Sequence, residues 1–314
     1  MTATNHGPGS ILDSIGNTPL VRLRRLRPAG GAEVLVKLEH FSPTGSYKDR
    51  MARALIEGAE RRGVLQPGQR VVEFTGGSTG SSLAFVCAVK GYPLTLVSSD
   101  AFSLEKRRTM RAFGADLVIV PSRDGAITPD LFDRMRDEVR AIIDREGAFW
   151  TDQFNNRDSL AGYAGIGHEL AAQAGTEIDV FCGGVGVGGM LVGVSQALKA
   201  AGSGARIVAL EPASSPMLTQ GVGGPHHVEG IGTGIIPPLL TPGSYDEART
   251  VTEEDARAIA RRLARQEGIF AGISTGVNIA AALQLAAERG PGQTVATVAV
   301  DTGLKYLAGD LYEA

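Results

Sequence analysis

The stretch "SPTGSYKDRMARAL" (42–55) places Lys48 between a Gly-Ser turn and the first turn of a helix. Ser42, Thr44, Gly45 and Ser46 supply turn and capping chemistry, and the spacing of Met51, Ala54, Leu55 and Ala59 predicts an amphipathic helix. A helix N-terminus carries partial positive charge, which disfavours an ammonium and favours a neutral, nucleophilic amine. A surface lysine beside a loop fits the same residues.

Three glycine-rich turns add chemistry of a second kind. In "EFTGGSTGSSLAF" (73–85), the run Thr75-Gly76-Gly77-Ser78-Thr79-Gly80 joins a strand to a helix. Its backbone amides and hydroxyls make an anion site that suits a carboxylate as well as a phosphate. In "DVFCGGVGVGGMLVGV" (179–194), Gly183, Gly184, Gly186, Gly188 and Gly189 again join a strand to a helix. That turn contains a formal G-x-G-x-x-G at Gly184, Gly186 and Gly189, with Glu211 about 20 residues on, the two features of a dinucleotide fingerprint. Its mid-chain position counts against a nicotinamide or flavin reading, which also leaves Lys48 without a role. In "GIFAGISTGVNIAAAL" (268–283), Ser274 and Thr275 precede an alanine-rich helix predicted over 276–288 and fit a simple N-cap. No Ser-His-Asp or metal-ligating constellation stands out, and His226 and His227 are expected to face solvent.

The elements that must position these turns alternate along the chain. Short apolar strands are predicted at 33–39, 70–74, 93–99, 116–120, 179–183, 206–211 and 294–300. Helices are predicted at 49–62, 79–90, 103–113, 129–144, 159–173, 189–200 and 253–266. Such alternation indicates α/β architecture with mostly parallel sheets covered on both faces. The Gly/Pro-rich loop 223–243 is long enough to expect a function of it.

The bulk numbers set limits. The 314 residues are 43% hydrophobic and 21% charged, enough for a large core and two subdomains. A net charge of −3 gives no electrostatic footprint for nucleic acid or an anionic membrane. Cys87 and Cys182 lie in apolar runs without metal spacing and read as buried, inert thiols. "MTATNHGPGS" has neither the charged nor the apolar region of a leader, and no run approaches a membrane span. A soluble, cytoplasmic setting is expected.

A lysine, a phosphate loop, a carboxylate loop and a partner for a pyridine nitrogen are used together by one cofactor, pyridoxal phosphate. The motifs "SPTGSYKDR", "TGGSTG", "DQFNN", "GGVGVGG", "EPASSPML", "EGIGTGIIP" and "GISTG" occur in that order, between "ILDSIGNTPLVRL" (11–23) and "DTGLKYL" (301–307). Through them the chain resembles the cysteine synthase/cystathionine β-synthase family of fold-type II pyridoxal-phosphate enzymes.

The resemblance implies two three-layer αβα domains of the tryptophan synthase β-like kind. A smaller, mobile substrate-side domain is expected over 45–150, and a larger cofactor domain over 10–44 with 151–310. Lys48 resembles the Schiff-base lysine. The run Gly183, Gly184, Val185, Gly186, Val187, Gly188, Gly189 and Met190 resembles the phosphate cup, and Ser274 the hydroxyl at the pyridine nitrogen. Thr75, Gly76, Gly77, Ser78 and Thr79 resemble the substrate-carboxylate loop, with Gln153 nearby and Gly230 at the active-site mouth. The implied reaction is β-replacement or β-elimination on a serine-type amino acid through an aminoacrylate, by a homodimer without a metal. A cysteine synthase-like enzyme would use O-acetylserine or O-phosphoserine with sulfide or another nucleophile. An amino-acid dehydratase, a dinucleotide oxidoreductase and a non-catalytic binding protein are the alternatives.

Departures from the family pattern bear on specificity. Ser78 stands where an asparagine is usual beside the cofactor's 3-hydroxyl, and Val187 and Met190 replace two threonines of the cup. The shorter Ser78 and the bare Gly76 predict a widened pocket and a specialised substrate.

Overall fold

The structure, a computed structural model, describes residues 9–125 and 129–313. Residues 1–8, which belong to the stretch read for a leader, lie outside the described residues. In chain order the elements are β1 (Leu20–Arg22), β2 (Glu33–Leu38), α1 (Lys48–Arg61), β3 (Val71–Phe74), α2 (Ser78–Lys90), β4 (Leu94–Ser99), α3 (Leu104–Ala112) and β5 (Asp116–Val120). They continue with α4 (Pro129–Glu146), β6 (Phe149–Trp150), α5 (Asp158–Gln173), β7 (Val180–Gly184), α6 (Gly189–Ala200) and β8 (Arg206–Pro212). The last are α7 (Met217–Gln220), β9 (Glu247–Val251), α8 (Glu253–Arg262), α9 (Ile273–Arg289) and β10 (Thr294–Ala299).

Two sheets result. A six-stranded sheet has the order β1-β2-β10-β7-β8-β9, and a four-stranded sheet the order β5-β4-β3-β6. Among the described residues, the named strands pair in parallel except β1 with β2. Parallel neighbours need crossovers, and the helices supply them on both faces.

The two-residue alternation of the strands divides their side chains between the faces. Val34, Val36, Cys182, Val208 and Val295 pack with α8 and α9 on one side of the larger sheet. Leu35, Phe181, Ile207, Ala296 and Val298 pack with α1, α5 and α6 on the other. In the smaller sheet Val71, Leu94 and Leu96 join α1 and α2, while Val72, Phe74 and Val97 join α4. Cys87 and Cys182 are buried free thiols, as expected.

Three short strands were not foreseen. β1, β6 and β9 lie at sheet edges, where one neighbour is enough and little apolar patterning is required. Helix α9 begins at Ile273 rather than 276, and α8 gives way after Arg262 to a wider π turn ending at Glu267.

Parallel topology sends the carboxyl ends of β2, β3, β7 and β10 toward one crevice, where ligands of open α/β sheets bind. The Lys48 turn and the turns at 75–80 and 183–190 follow β2, β3 and β7, and the turn before α9 is joined to the end of β10 by Gly272 N–H donating to the Asp301 carbonyl. Helix α1 is anchored beside them by a buried ion network. Arg50 of α1 pairs with Glu39 and Glu169, and Lys37 of β2 also pairs with Glu169. These charges satisfy one another away from water, so removing one partner would leave the rest unpaired.

Candidate active site

Lys48 is the first residue of α1 and is only 8% exposed. Its Nζ lies 4.9 Å from the Tyr47 ring centre and 5.8 Å from that of Tyr163. Burial pulls its ammonium down to about 8, against the attraction of Asp301. The surface-lysine alternative therefore fails. A buried amine this easily deprotonated is a nucleophile near neutral pH.

Two groups of contacts place Lys48 between the glycine turns. Tyr163 also packs on Gly189, where an added Cβ would meet its ring at 3.2 Å. Asp301, on the other side, approaches Ser78 Oγ at 3.4 Å. The chain preceding Lys48 is fixed to the end of β10: Tyr47 N–H donates to the Val300 carbonyl at 3.1 Å, and Thr302 N–H to the Gly45 carbonyl at 2.9 Å.

The turn between β7 and α6 has the donors and the shape to hold an anion. The N–H groups of Gly189, Met190 and Leu191 open α6 with no carbonyl one turn earlier to accept them. Gly188 has φ +82°, which favours glycine. A Cβ on Gly186 would stand 2.3 Å from the Gly230 carbonyl oxygen, so the loop at 230–232 rests directly on the cradle. Gly232 N–H donates to the Val185 carbonyl at 2.9 Å and closes that contact. Val187 and Met190 bring no hydroxyls, and Met190 is buried in the core with Val185. The backbone donors alone suit a phosphate group, so the site fits pyridoxal phosphate.

The cradle has a support not recognised in the sequence. Asn278 of α9 is fully buried. It accepts from Gly184 N–H at 2.8 Å and donates to the Val298 carbonyl at 2.9 Å, binding α9 to β7 and β10. Ser274 lies inside the first turn of α9, 3% exposed, and the cap position is Gly272. The simple N-cap reading of Ser274 is thus replaced by a buried hydroxyl in the first helical turn.

The turn after β3 closes on itself: Gly77 N–H donates to Thr75 Oγ1 at 3.1 Å. Thr79 donates its hydroxyl to Gln153 Oε1 at 2.8 Å, and Gln153 Nε2 donates to the Phe74 carbonyl at 3.2 Å. Thr75, Thr79 and Gln153 are all buried. Behind them stands Glu73, which sequence reasoning missed. Its carboxylate accepts from Phe74 N–H, Trp150 Nε1–H, the Thr151 hydroxyl and Gln153 N–H at 2.6–3.1 Å. Burial pushes Glu73 up to about 7 against these donors.

The expected widening at this turn does not occur. A Cβ on Gly76 would meet the Phe102 ring at 2.3 Å, so Phe102 already fills that space. The room beside the short Ser78 is taken by Lys305, whose Nζ donates to Ser78 Oγ at 3.3 Å. Asp301 receives the Tyr306 hydroxyl at 3.0 Å on one oxygen, and its other oxygen is buried without a partner.

The dinucleotide fingerprint is also corrected. Glu211 is buried and accepts from Leu218 N–H, Thr219 N–H and the Thr219 hydroxyl at 2.7–2.9 Å. It caps α7, and its acceptors are spent on that helix. Of the two loop histidines, His227 is exposed, but His226 is half-buried and bonded to Gly232 and Val228. Among the described residues there is no metal-type cluster, and no helix is long and apolar enough to cross a membrane.

Comparison with known proteins agrees with this geometry. The model of the family "Pyridoxal-phosphate dependent enzyme" matches residues 11–301. A cysteine synthase of Staphylococcus aureus is 42% identical over 308 residues, 96% of each chain. An O-ureido-L-serine synthase of Streptomyces lavendulae is 40% identical over 97% of this chain and 92% of its own. The crystal structure of a cysteine synthase of Entamoeba histolytica superposes with a TM-score of 0.92 at 32% identity, over all of this chain and 93% of that one. The chain belongs to the pyridoxal-phosphate dependent enzyme family and is an enzyme of the cysteine synthase type.

Proposed function

We propose that the chain catalyses β-replacement on a serine-type amino acid, exchanging its β-substituent for a nucleophile such as sulfide. Pyridoxal phosphate, when bound, supplies the electron sink that acidifies the Cα–H bond and lets the β-substituent leave. The observation that carries this reading is the buried Lys48 amine, held near pKa 8 between the two glycine turns.

In this reading Lys48 holds the cofactor and takes the proton from the substrate's Cα. The N–H groups from Gly183 to Met190 hold the phosphate, and Ser274 faces the pyridine nitrogen. A neutral hydroxyl there stabilises a protonated ring less than a carboxylate would, which favours departure of the β-group over transamination. Thr75, Gly76, Gly77 and Thr79 hold the substrate carboxylate with Gln153, whose side chain is fixed by Thr79 and Phe74. Ser78 stands beside the ring's hydroxyl, and Gly230 lines the mouth. The unit at 45–150 moves against the remainder as substrate enters. The similarity to an O-ureido-L-serine synthase supports a specialised partner for the amino acid.

A cytoplasmic homodimer is part of the same proposal. The support for the homodimer is a groove lined by exposed Phe41 and Leu304 with Phe270, suited to burial by a second copy.

The test is a product assay on serine, O-acetylserine, O-phosphoserine and threonine, each with and without sulfide. Formation of a β-substituted amino acid supports replacement. Ketoacid and ammonia as the main products, with sulfide present, would make the chain a dehydratase. No turnover of any donor by the cofactor-loaded protein would refute the proposal.

A further inference from the structure

Two ammonium groups flank the Gly77–Ser78 turn. Lys305 Nζ donates to Ser78 Oγ, while a Cβ on Gly77 would lie 3.9 Å from Lys106 Nζ. Lys106 comes from α3 and lies 5.0 Å from the Tyr306 ring centre, so the residue next to Lys305 joins the two.

Their partners are unequal to them. The Lys106 side chain is 3% exposed, but its ion-pair partner Glu229 is 45% exposed, on the loop resting over the phosphate cradle. Glu229 can turn out into water, whereas a buried Lys106 left unpaired is costly, so an entering anion can replace Glu229 while the cation stays in the crevice. Lys305 donates to the neutral Ser78 hydroxyl and shares the buried charge of Asp301 with Lys106, with Asp49 acting on Lys305 as well. With Asp301 counted against one ammonium, the departure of Glu229 leaves the other open to an anion.

We propose that Lys106 and Lys305 form an anion subsite beside the carboxylate turn, selecting a reactant with an anionic group besides the α-carboxylate. This rests on the β-replacement reading. The anion is carried either by the donor's leaving group or by the incoming nucleophile. Glu229 closes the subsite when no such reactant is present.

Holoenzyme of the wild type, Lys106→Gln, Lys305→Gln and Lys106→Arg is compared in two arms. The donor arm sets O-phosphoserine against O-acetylserine. The nucleophile arm sets mercaptoacetate against 2-mercaptoethanol, which differ mainly in charge. In one arm the wild type should prefer the anionic reagent at least tenfold in kcat/KM, and the arm that responds names its source. Each Gln variant should lose that preference, and Lys106→Arg should keep it. Absence of charge preference in both arms, or equal losses on paired reagents, would overturn the subsite.

A binding measurement stands apart from catalysis. Inorganic phosphate titrated into holoenzyme should bind the wild type at least tenfold more tightly than the Lys106→Gln/Lys305→Gln double variant. Equal binding, or none to the wild type, would also overturn the subsite. Phosphate binding without turnover of any donor would refute the β-replacement reading alone.

Discussion

Lys48→Met should make the cofactor-free protein more stable. In the folded chain burial holds the Lys48 ammonium at about 8, below the ordinary 10.5. The unfolded chain binds that proton more tightly, so folded-state stability falls as pH drops from 10.5 toward 8. At about 1.4 kcal/mol per pH unit of pKa difference, the cost is about 3 kcal/mol at pH 7 and under about 1 kcal/mol at pH 10. Methionine has similar length, packs beside the Tyr47 and Tyr163 rings and carries no charge to desolvate. Thermal unfolding of cofactor-stripped wild type and Lys48→Met at pH 7, 8, 9 and 10 measures the difference. The variant should melt about 5 °C higher at pH 7, with the gap closing toward pH 10. A variant that melts lower, or a gap that ignores pH, would refute the reading of Lys48 as a desolvated buried amine.

Other perturbations bear on separate parts of the site. Gly186→Ala puts a methyl group against the Gly230 carbonyl. It should weaken retention of pyridoxal phosphate at least about tenfold by equilibrium titration, and unchanged retention would contradict the cradle. Ser274→Ala should lower turnover well beyond any change in melting temperature, because Ser274 is not the cap of α9. A loss of about 1 kcal/mol with normal turnover would restore the cap reading. Glu73→Gln should raise the KM for the donor, since Gln153 loses its carboxylate anchor. Glu73 has a raised folded pKa, so its contribution is present below 4.5 and lost as pH rises through about 7. The variant should therefore gain about 3 kcal/mol on the wild type between pH 4 and pH 8 in denaturant unfolding, and a constant difference would contradict that.

The residues legible in sequence are those whose type is dictated locally. Glycines at 186 and 188 are required by a close carbonyl and a left-handed backbone, and both requirements leave a mark in the chain itself. The amphipathic spacing after Lys48 likewise predicted α1 to within a residue. Partners distant in the chain were not legible. Asp301 meets Ser78 across 223 positions, and Asn278 meets Gly184 across 94. Gly76 illustrates the difference: its missing side chain promised space, and Phe102 from the next βα unit fills it. Glu73 sits in an ordinary apolar strand, and its four donors come together only when β6 pairs with β3. Short edge strands such as β6 have too little pattern to announce that pairing.

The proposed function stands on Lys48 as the residue that carries the cofactor. Borohydride reduction of the loaded enzyme, followed by peptide mapping, tests it directly. Loss of the visible cofactor band and a pyridoxyl group on the peptide containing Lys48 are expected. A pyridoxyl group on Lys37, Lys90, Lys106, Lys199 or Lys305, with Lys48 unmodified, would contradict it.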